Sequence, residues 1–167
     1  LLRRFSALHP RVALDLGFMD SEQAYAQVLR GDAELAFTTL GPIQAPLRSI
    51  PVWNDPLHVV VAPDHPLATR AKVGLADLAA HPAVLPDAVT FTHRIVANAF
   101  ARRGLSLQLR MTTNYLETIK MLAAVGLAWT VLPRTMVDAQ VRVLPVTGVK
   151  LSRQLGCTVH GGRTLSR

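Results

Sequence analysis

Hydroxyl-bearing residues stand at three places where a fold can aim them at a ligand. Asp20-Ser21 opens an amphipathic stretch, Thr38-Thr39 follows a short apolar run, and Thr90, Thr92 and His93 gather at the start of a second helical stretch. The first turn of a helix carries unpaired N–H groups and the positive end of the helix dipole. A Ser or Thr there suits a carboxylate or another small anion. The chemistry open to these residues is binding through hydrogen bonds. Each also has a purely structural role open to it. Ser21 and Thr92 serve as N-caps, worth about 0.5–2 kcal/mol to their helices, and Thr38-Thr39 serves as a plain turn. Arg94 either adds charge to such a site or extends into solvent, and Thr113-Asn114 reads as a helix cap.

Bond-making machinery is not found. The sequence holds no Gly-x-Ser-x-Gly, no phosphate-binding loop and no His-Glu-x-x-His. Its six histidines, at positions 9, 58, 65, 81, 93 and 160, are scattered and none has a partner at metal-ligand spacing. No enzyme activity, cofactor or metal is therefore expected. Cys157 is the single cysteine, which leaves no intrachain disulfide and no thiol-based metal site. It lies in an apolar strand between Leu155 and Val159 and reads as a buried, inert thiol. One cysteine fits a reducing cytoplasm.

The 167 residues are 50% hydrophobic and 17% charged, and the mean hydropathy is +0.26. This is the balance of a core-forming chain. Aromatics make up only 5%, so the core must come from Leu, Val, Ala and Ile. The length suits one domain or two small lobes. No apolar run approaches the roughly 18 residues of a membrane span, and no membrane partner is expected. The opening Leu1-Leu2-Arg3-Arg4-Phe5 lacks a signal peptide's apolar stretch and reads as a helix entered midway, hence as a start within a larger protein. The net charge of +7 is unevenly divided: residues 1–92 carry 7 basic and 9 acidic side chains, residues 93–167 carry 11 and 2. That asymmetry suits an anionic partner. Ordinary solvated surface is the alternative, since within residues 93–167 only Arg102-Arg103 stand as a pair.

The elements that must position these residues alternate between helical and strand-like period, the signature of an α/β fold. Residues 1–8 read as a helix closed by His9-Pro10. Residues 12–18 alternate as a strand, with Val12, Leu14, Leu16 and Phe18 on one side. Ser21 caps a helix through Arg30, ended by Gly31. Strand 33–37 leads into the Thr38-Thr39 loop. Residues 47–53 are extended, and 57–61 form a buried, β-branched strand broken by Pro63 and Pro66. A second cycle follows: helix 75–79, strand 83–85, a helix over 93–103 capped by Thr92, strand 107–111, helix 115–124, strand 128–132, a short helix opened by Pro133, and strands 141–146 and 154–160.

Several phrases in order, "HPRVALDLGF", "VLRGDAELAF", "LHVVVAPDHPLA", "VGLADLAAHPAVL", "ETIKMLAAVGLAWTVLP", "VRVLPV" and "RQLGCTVHGGRTLS", resemble the effector domain of the LysR-type transcriptional regulators. The resemblance covers nearly the whole chain. It implies the type 2 periplasmic-binding-protein fold, α/β with two Rossmann-like lobes joined by two crossover strands. Lobe one would take residues 1–63 and, after the return crossover, 140–167; lobe two would take 64–139. By the same comparison the first lobe lacks its first strand and a final helix is missing. Exposed strand edges would then invite aggregation in isolation. His65 falls in the family's His-Pro-Leu turn and takes a structural role.

On this resemblance Ser21, Thr38, Thr39, Thr90, Thr92 and His93 lie where the family places effector contacts, in the cleft between lobes. The partners implied are a small-molecule effector, favoured as an anion by the basic second half, and a second copy of the chain in a homodimer or tetramer through residues 1–18 and 115–125. An intramolecular role for helix 115–124 remains the alternative. DNA would be reached only through an N-terminal winged helix-turn-helix absent from this segment. Two rival readings stand beside this one: a solute-binding protein of a transporter on the same fold, and an enzyme on this scaffold, for which no acid–base or nucleophile set is found.

Overall fold

A computed structural model describes residues 2–43 and 45–163. Leu1, assigned above to the opening helix, and residues 164–167 of the closing segment lie outside it. Helix α1, Leu2–Leu8, buries no residue. Residues 12–18 are not a strand: they form no ladder, and Phe18 is 91% exposed. Alternation sets which way side chains point, but a strand also needs a neighbour to pair with, and none is present among the described residues.

Helix α2, Ser21–Arg30, packs Tyr25 and Val28 inward and ends at Gly31, whose φ of 90° is the left-handed conformation glycine adopts freely. Its cap is Asp20, which accepts from the Gln23 N–H at 2.8 Å. The expected cap, Ser21, is the first helical residue instead. Strand β1, Leu35–Thr39, includes both threonines that were expected in a loop.

Strand β2, Leu47–Val61, is one continuous 15-residue strand where two segments were expected. The Asn54-Asp55-Pro56 stretch does not break it, because strand β7, Ser152–His160, runs antiparallel along it from Leu47 to Pro56. On its other side β7 pairs with β1, which places Thr38 opposite Gly156 and Thr39 opposite Leu155. The ladder is irregular between Pro51 and Trp53, where a proline in a strand is tolerated.

The far end of β2 enters a second body. There it pairs with β5, Thr130–Pro133, and with β6, Arg142–Val143. Strands β3, Ala83–Leu85, and β4, Leu109–Thr112, are parallel neighbours, and the Val84 N–H donates to the Trp129 carbonyl to link them to the rest. Helices α3, Leu75–Ala79, α4, Phe91–Ala101, and α5, Leu116–Ala124, flank these strands. Val59 and Val61 join one apolar cluster with Leu78, Val96, Phe100 and Trp129. Val60 joins another with Val84, Ile119 and Leu132. Successive strand residues thus face opposite helical layers. Trp129 is fully buried, stacks on Phe100 at 5.7 Å between centroids, and donates its indole N–H to the Leu78 and His81 carbonyls at 3.0 and 3.1 Å.

The expected cap of α4, Thr92, lies within the helix; Thr90 caps it, accepting from the His93 N–H at 3.2 Å. Tyr115 begins α5 without a side-chain cap. Thr113 receives the Tyr115 N–H at 3.4 Å, and Asn114 receives the Asp87 N–H at 2.9 Å. The short helix after Pro133 is a 3-10 turn, Arg134–Met136, and the strand expected over 141–146 shortens to Arg142–Val143.

Candidate ligand-binding site

A cavity of about 240 Å³ opens where the first turns of α2 and α4 approach the ends of β1 and β7. Ser21, Thr38, Thr39, Trp53 and Arg153 line it, with Phe37, Leu155 and Gly156. Ser21 reaches it because the Asp20 cap frees its own hydroxyl, which accepts the Thr39 N–H at 3.1 Å. Tyr25 fixes the same strand end: its hydroxyl donates to the Thr39 carbonyl at 3.1 Å and accepts from the Gly41 N–H at 3.2 Å. Thr38 is only 6% exposed, and its Oγ1 is buried with no hydrogen-bond partner among the described residues. Orphaned buried hydroxyls are uncommon and cost stability.

The α4 residues stand behind Arg153, outside the cavity lining. Thr90 is satisfied internally, donating to the Asp87 carbonyl at 2.8 Å while capping the helix. His93, 7% exposed, holds Nδ1 2.8 Å from the Pro86 carbonyl oxygen. Because a carbonyl only accepts, Nδ1 carries the proton. Neither residue lines the cavity. Thr92 meets it indirectly: its hydroxyl accepts from Arg153 Nη1 at 3.2 Å.

Arg153 was missed in the sequence. It stands directly across the ladder from Asp55, and its Nε donates to Oδ2 at 2.7 Å, both side chains being 14% exposed. A second polar link crosses the same seam. Arg94 Nη2 donates to Glu22 Oε1 at 3.0 Å and to the Val89 carbonyl at 2.7 Å, with its guanidinium over the Phe91 ring. The two bodies approach closely here, since a Cβ on Gly41 would overlap the Phe91 ring. Of the six expected contact residues, Ser21, Thr38 and Thr39 therefore share the cavity, Thr92 touches it through Arg153, and Thr90 and His93 build the helix start behind it.

A larger hollow of about 650 Å³ lies elsewhere, among Thr69, Arg70, Arg142 and Pro145. These residues are exposed, and the hollow lacks the buried polar walls of a binding cleft. Among the described residues no group of three or more His, Cys, Asp or Glu side chains is placed to hold a metal ion. Burial pushes the Cys157 thiol above its ordinary pKa, away from reactive thiolate character. No helix of the described residues is long and apolar enough to cross a membrane.

Two α/β bodies that share strands, with a cavity of the first body lying beside their seam, define a type 2 periplasmic-binding-protein-like fold, and solved structures agree. The regulatory domain of CcmR from Synechocystis, in complex with 2-PG, superposes with a TM-score of 0.89 at 23% identity, covering 99% of this chain and 82% of that one. The C-terminal domain of a probable LysR family regulator from a Rhodococcus species gives 0.86 at 28% identity, covering 99% and 84%. The family model for the LysR substrate binding domain matches residues 1–167, and the chain belongs to that family. The RuBisCO operon transcriptional regulator of Allochromatium vinosum is 24% identical over 173 residues, 99% of this chain and 57% of that protein. The chain thus spans little more than half of that relative's length. The family is one of transcriptional regulators, which favours the regulator reading over a transporter's solute-binding protein.

Proposed function

We propose that this chain is the effector-sensing part of a LysR-type transcriptional regulator and that it performs no chemistry. A small molecule binds at the seam and changes the angle between the lobes, or between subunits, and so moves DNA-binding domains that lie outside this segment. The observation that carries the reading is the cavity where Ser21, Thr38 and Thr39 from one body face Arg153, itself bonded to Thr92 of the other. A ligand that favours one arrangement of this seam shifts the equilibrium toward it. Thr90 and His93 support the site by fixing the first turn of α4.

The lobes divide near residues 63–64 and 139–140. The protein works in the cytoplasm as a homodimer or tetramer, pairing residues 1–18 of one copy with 115–125 of the next. The apolar side chains exposed on both stretches support this, among them Leu8, Phe18, Tyr115, Met121 and Val125.

The test is a thermal-shift screen of the full-length regulator against small carboxylates, amino acids and inorganic anions. A ligand bound only by the folded state raises Tm with concentration. Thr39→Val is expected to weaken the hit about tenfold or more, the cost of one directed hydrogen bond in a dry site. Unchanged affinity in both Thr39→Val and Thr90→Val removes these residues from the site.

A further inference from the structure

We propose that Arg153 is the residue that reads an oxyanion, a carboxylate or a phosphate, in the seam cavity, and that the same guanidinium passes occupancy to lobe two through Thr92. The proposal rests on the effector reading above and adds the ligand's chemical class and the coupling residue. Asp55 takes Nε and Thr92 takes Nη1, and Nη2 makes no hydrogen bond among the described residues. The side chain is held from two sides and nearly buried, yet borders the cavity. A pre-oriented guanidinium corner is a directed donor for an oxyanion and loses little freedom on binding it.

Asp55 cancels most of the local charge, so binding depends on the aim of the N–H groups more than on bulk attraction. Thr38 supplies a buried wall hydroxyl with no hydrogen-bond partner among the described residues. A cavity of about 240 Å³ lies below the roughly 300–1,000 Å³ of ordinary small-molecule pockets, which restricts the ligand to a small one. Among the described residues, Arg153 is the only lining residue that also bonds to α4, where Arg94 makes the second cross-seam link to Glu22. A ligand that pulls on Arg153 therefore pulls on the helix that carries both links.

The experiment titrates inorganic phosphate, and separately acetate, into the 15N- and 2H-labelled full-length regulator and follows the Arg153 Nε–H and the backbone amides. Saturable shifts at Arg153, Thr38 and Thr39 with either probe are expected, and the probe that saturates at lower concentration identifies the oxyanion class. Arg153→Gln should weaken that binding about ten- to a hundredfold, as for loss of a charge-assisted bond. Thr38→Val, which breaks no bond of the folded chain, should weaken it about threefold or more and guards against misfolding of the first variant. Thr92→Val, which releases one side of the guanidinium, should weaken binding less than Arg153→Gln does and should lose the shifts at residues 91–94. Arg142→Gln, in the separate exposed hollow, should change nothing. Shifts spread over all surface arginines, or none at Arg153, overturn the proposal. A hit from the thermal-shift screen that Arg153→Gln binds as tightly as the parent overturns it too, while leaving the effector reading in place. Phosphate or acetate bound at Arg153 in a full-length regulator whose DNA binding never responds to any ligand would do the reverse.

Discussion

Replacing Asp55 with Ala should cost the fold far more than a surface ion pair would. Asp55 and Arg153 meet at 2.7 Å with only 14% of each side chain exposed. Loss of the carboxylate leaves a guanidinium in a largely buried seam with the Thr92 hydroxyl as its one remaining partner among the described residues. Breaking a buried pair from one side costs about 3–5 kcal/mol. With some solvent access and one surviving hydrogen bond, the lower end, about 3 kcal/mol, is expected. At an m-value of about 2 kcal/mol/M that moves the urea midpoint down by roughly 1.5 M. Asp55→Leu combined with Arg153→Met should recover most of the loss, because the stranded charge disappears with its partner. Raising NaCl from 0.1 to 1 M should leave most of the effect of the single change intact, since burial limits screening. Urea unfolding of the parent, Asp55→Leu, Arg153→Met and the double variant in one cycle, with Asp55→Ala beside them, decides it. A single-variant loss below about 0.5 kcal/mol, or a double variant that loses the sum of the two singles, refutes the reasoning.

Trp129→Phe removes a buried indole N–H shared by two carbonyls and should lower stability by about 1–3 kcal/mol; Trp129→Ala should lower it by about 3–5 kcal/mol, both read from urea unfolding. Gly156→Ala places a Cβ against the Ile50 carbonyl oxygen, a backbone atom that cannot swing away, and should reduce Tm by several degrees; an unchanged Tm means the β2–β7 ladder relaxes more easily than a packed sheet does. Burial first, and then the neighbouring His81, hold the His65 pKa below its ordinary value, with Asp64 opposing. The unfolded chain therefore takes up this proton first, and stability should fall as pH drops through about 6.5 toward the lower folded value and level off below it. His65→Asn, which can still accept the Leu67 N–H, should flatten the slope in that window; an identical slope assigns it to other groups.

The alternation of helical and strand periods announced most elements, because each amphipathic stretch packs one face regardless of its neighbours. The caps were harder to read. Asp20 and Ser21 are adjacent, Thr90 and Thr92 are two apart, and any of them can accept an N–H. The choice is made by distant groups, since Ser21 is claimed by the Thr39 N–H and Thr92 by Arg153. The same reason hides Arg153. Its partner Asp55 is 98 residues away in sequence, and only the β2–β7 register brings the two opposite each other. Residues 12–18 show the converse failure, a strand pattern with no strand beside it among the described residues. Thr38 and Thr39 could be singled out as candidates for a simpler reason: two adjacent hydroxyls end a short apolar run, and both line the cavity.

Strand β2 belongs to both bodies at once, tied to β7 over Leu47–Pro56 and to β5 and β6 beyond. The return path is stitched to it as well, by the Leu144 N–H to the Val59 carbonyl and the Leu57 N–H to the Leu151 carbonyl, each at 2.9 Å. Two domains on a loose tether can swing through large angles at little cost. Two bodies sharing a ribbon of antiparallel backbone can only rotate by twisting it, and every degree is opposed by hydrogen bonds on both sides. The signal such a molecule sends is therefore small in amplitude and stiff, closer to a torsion spring than to a hinge, and its softest point is the ladder irregularity between Pro51 and Trp53.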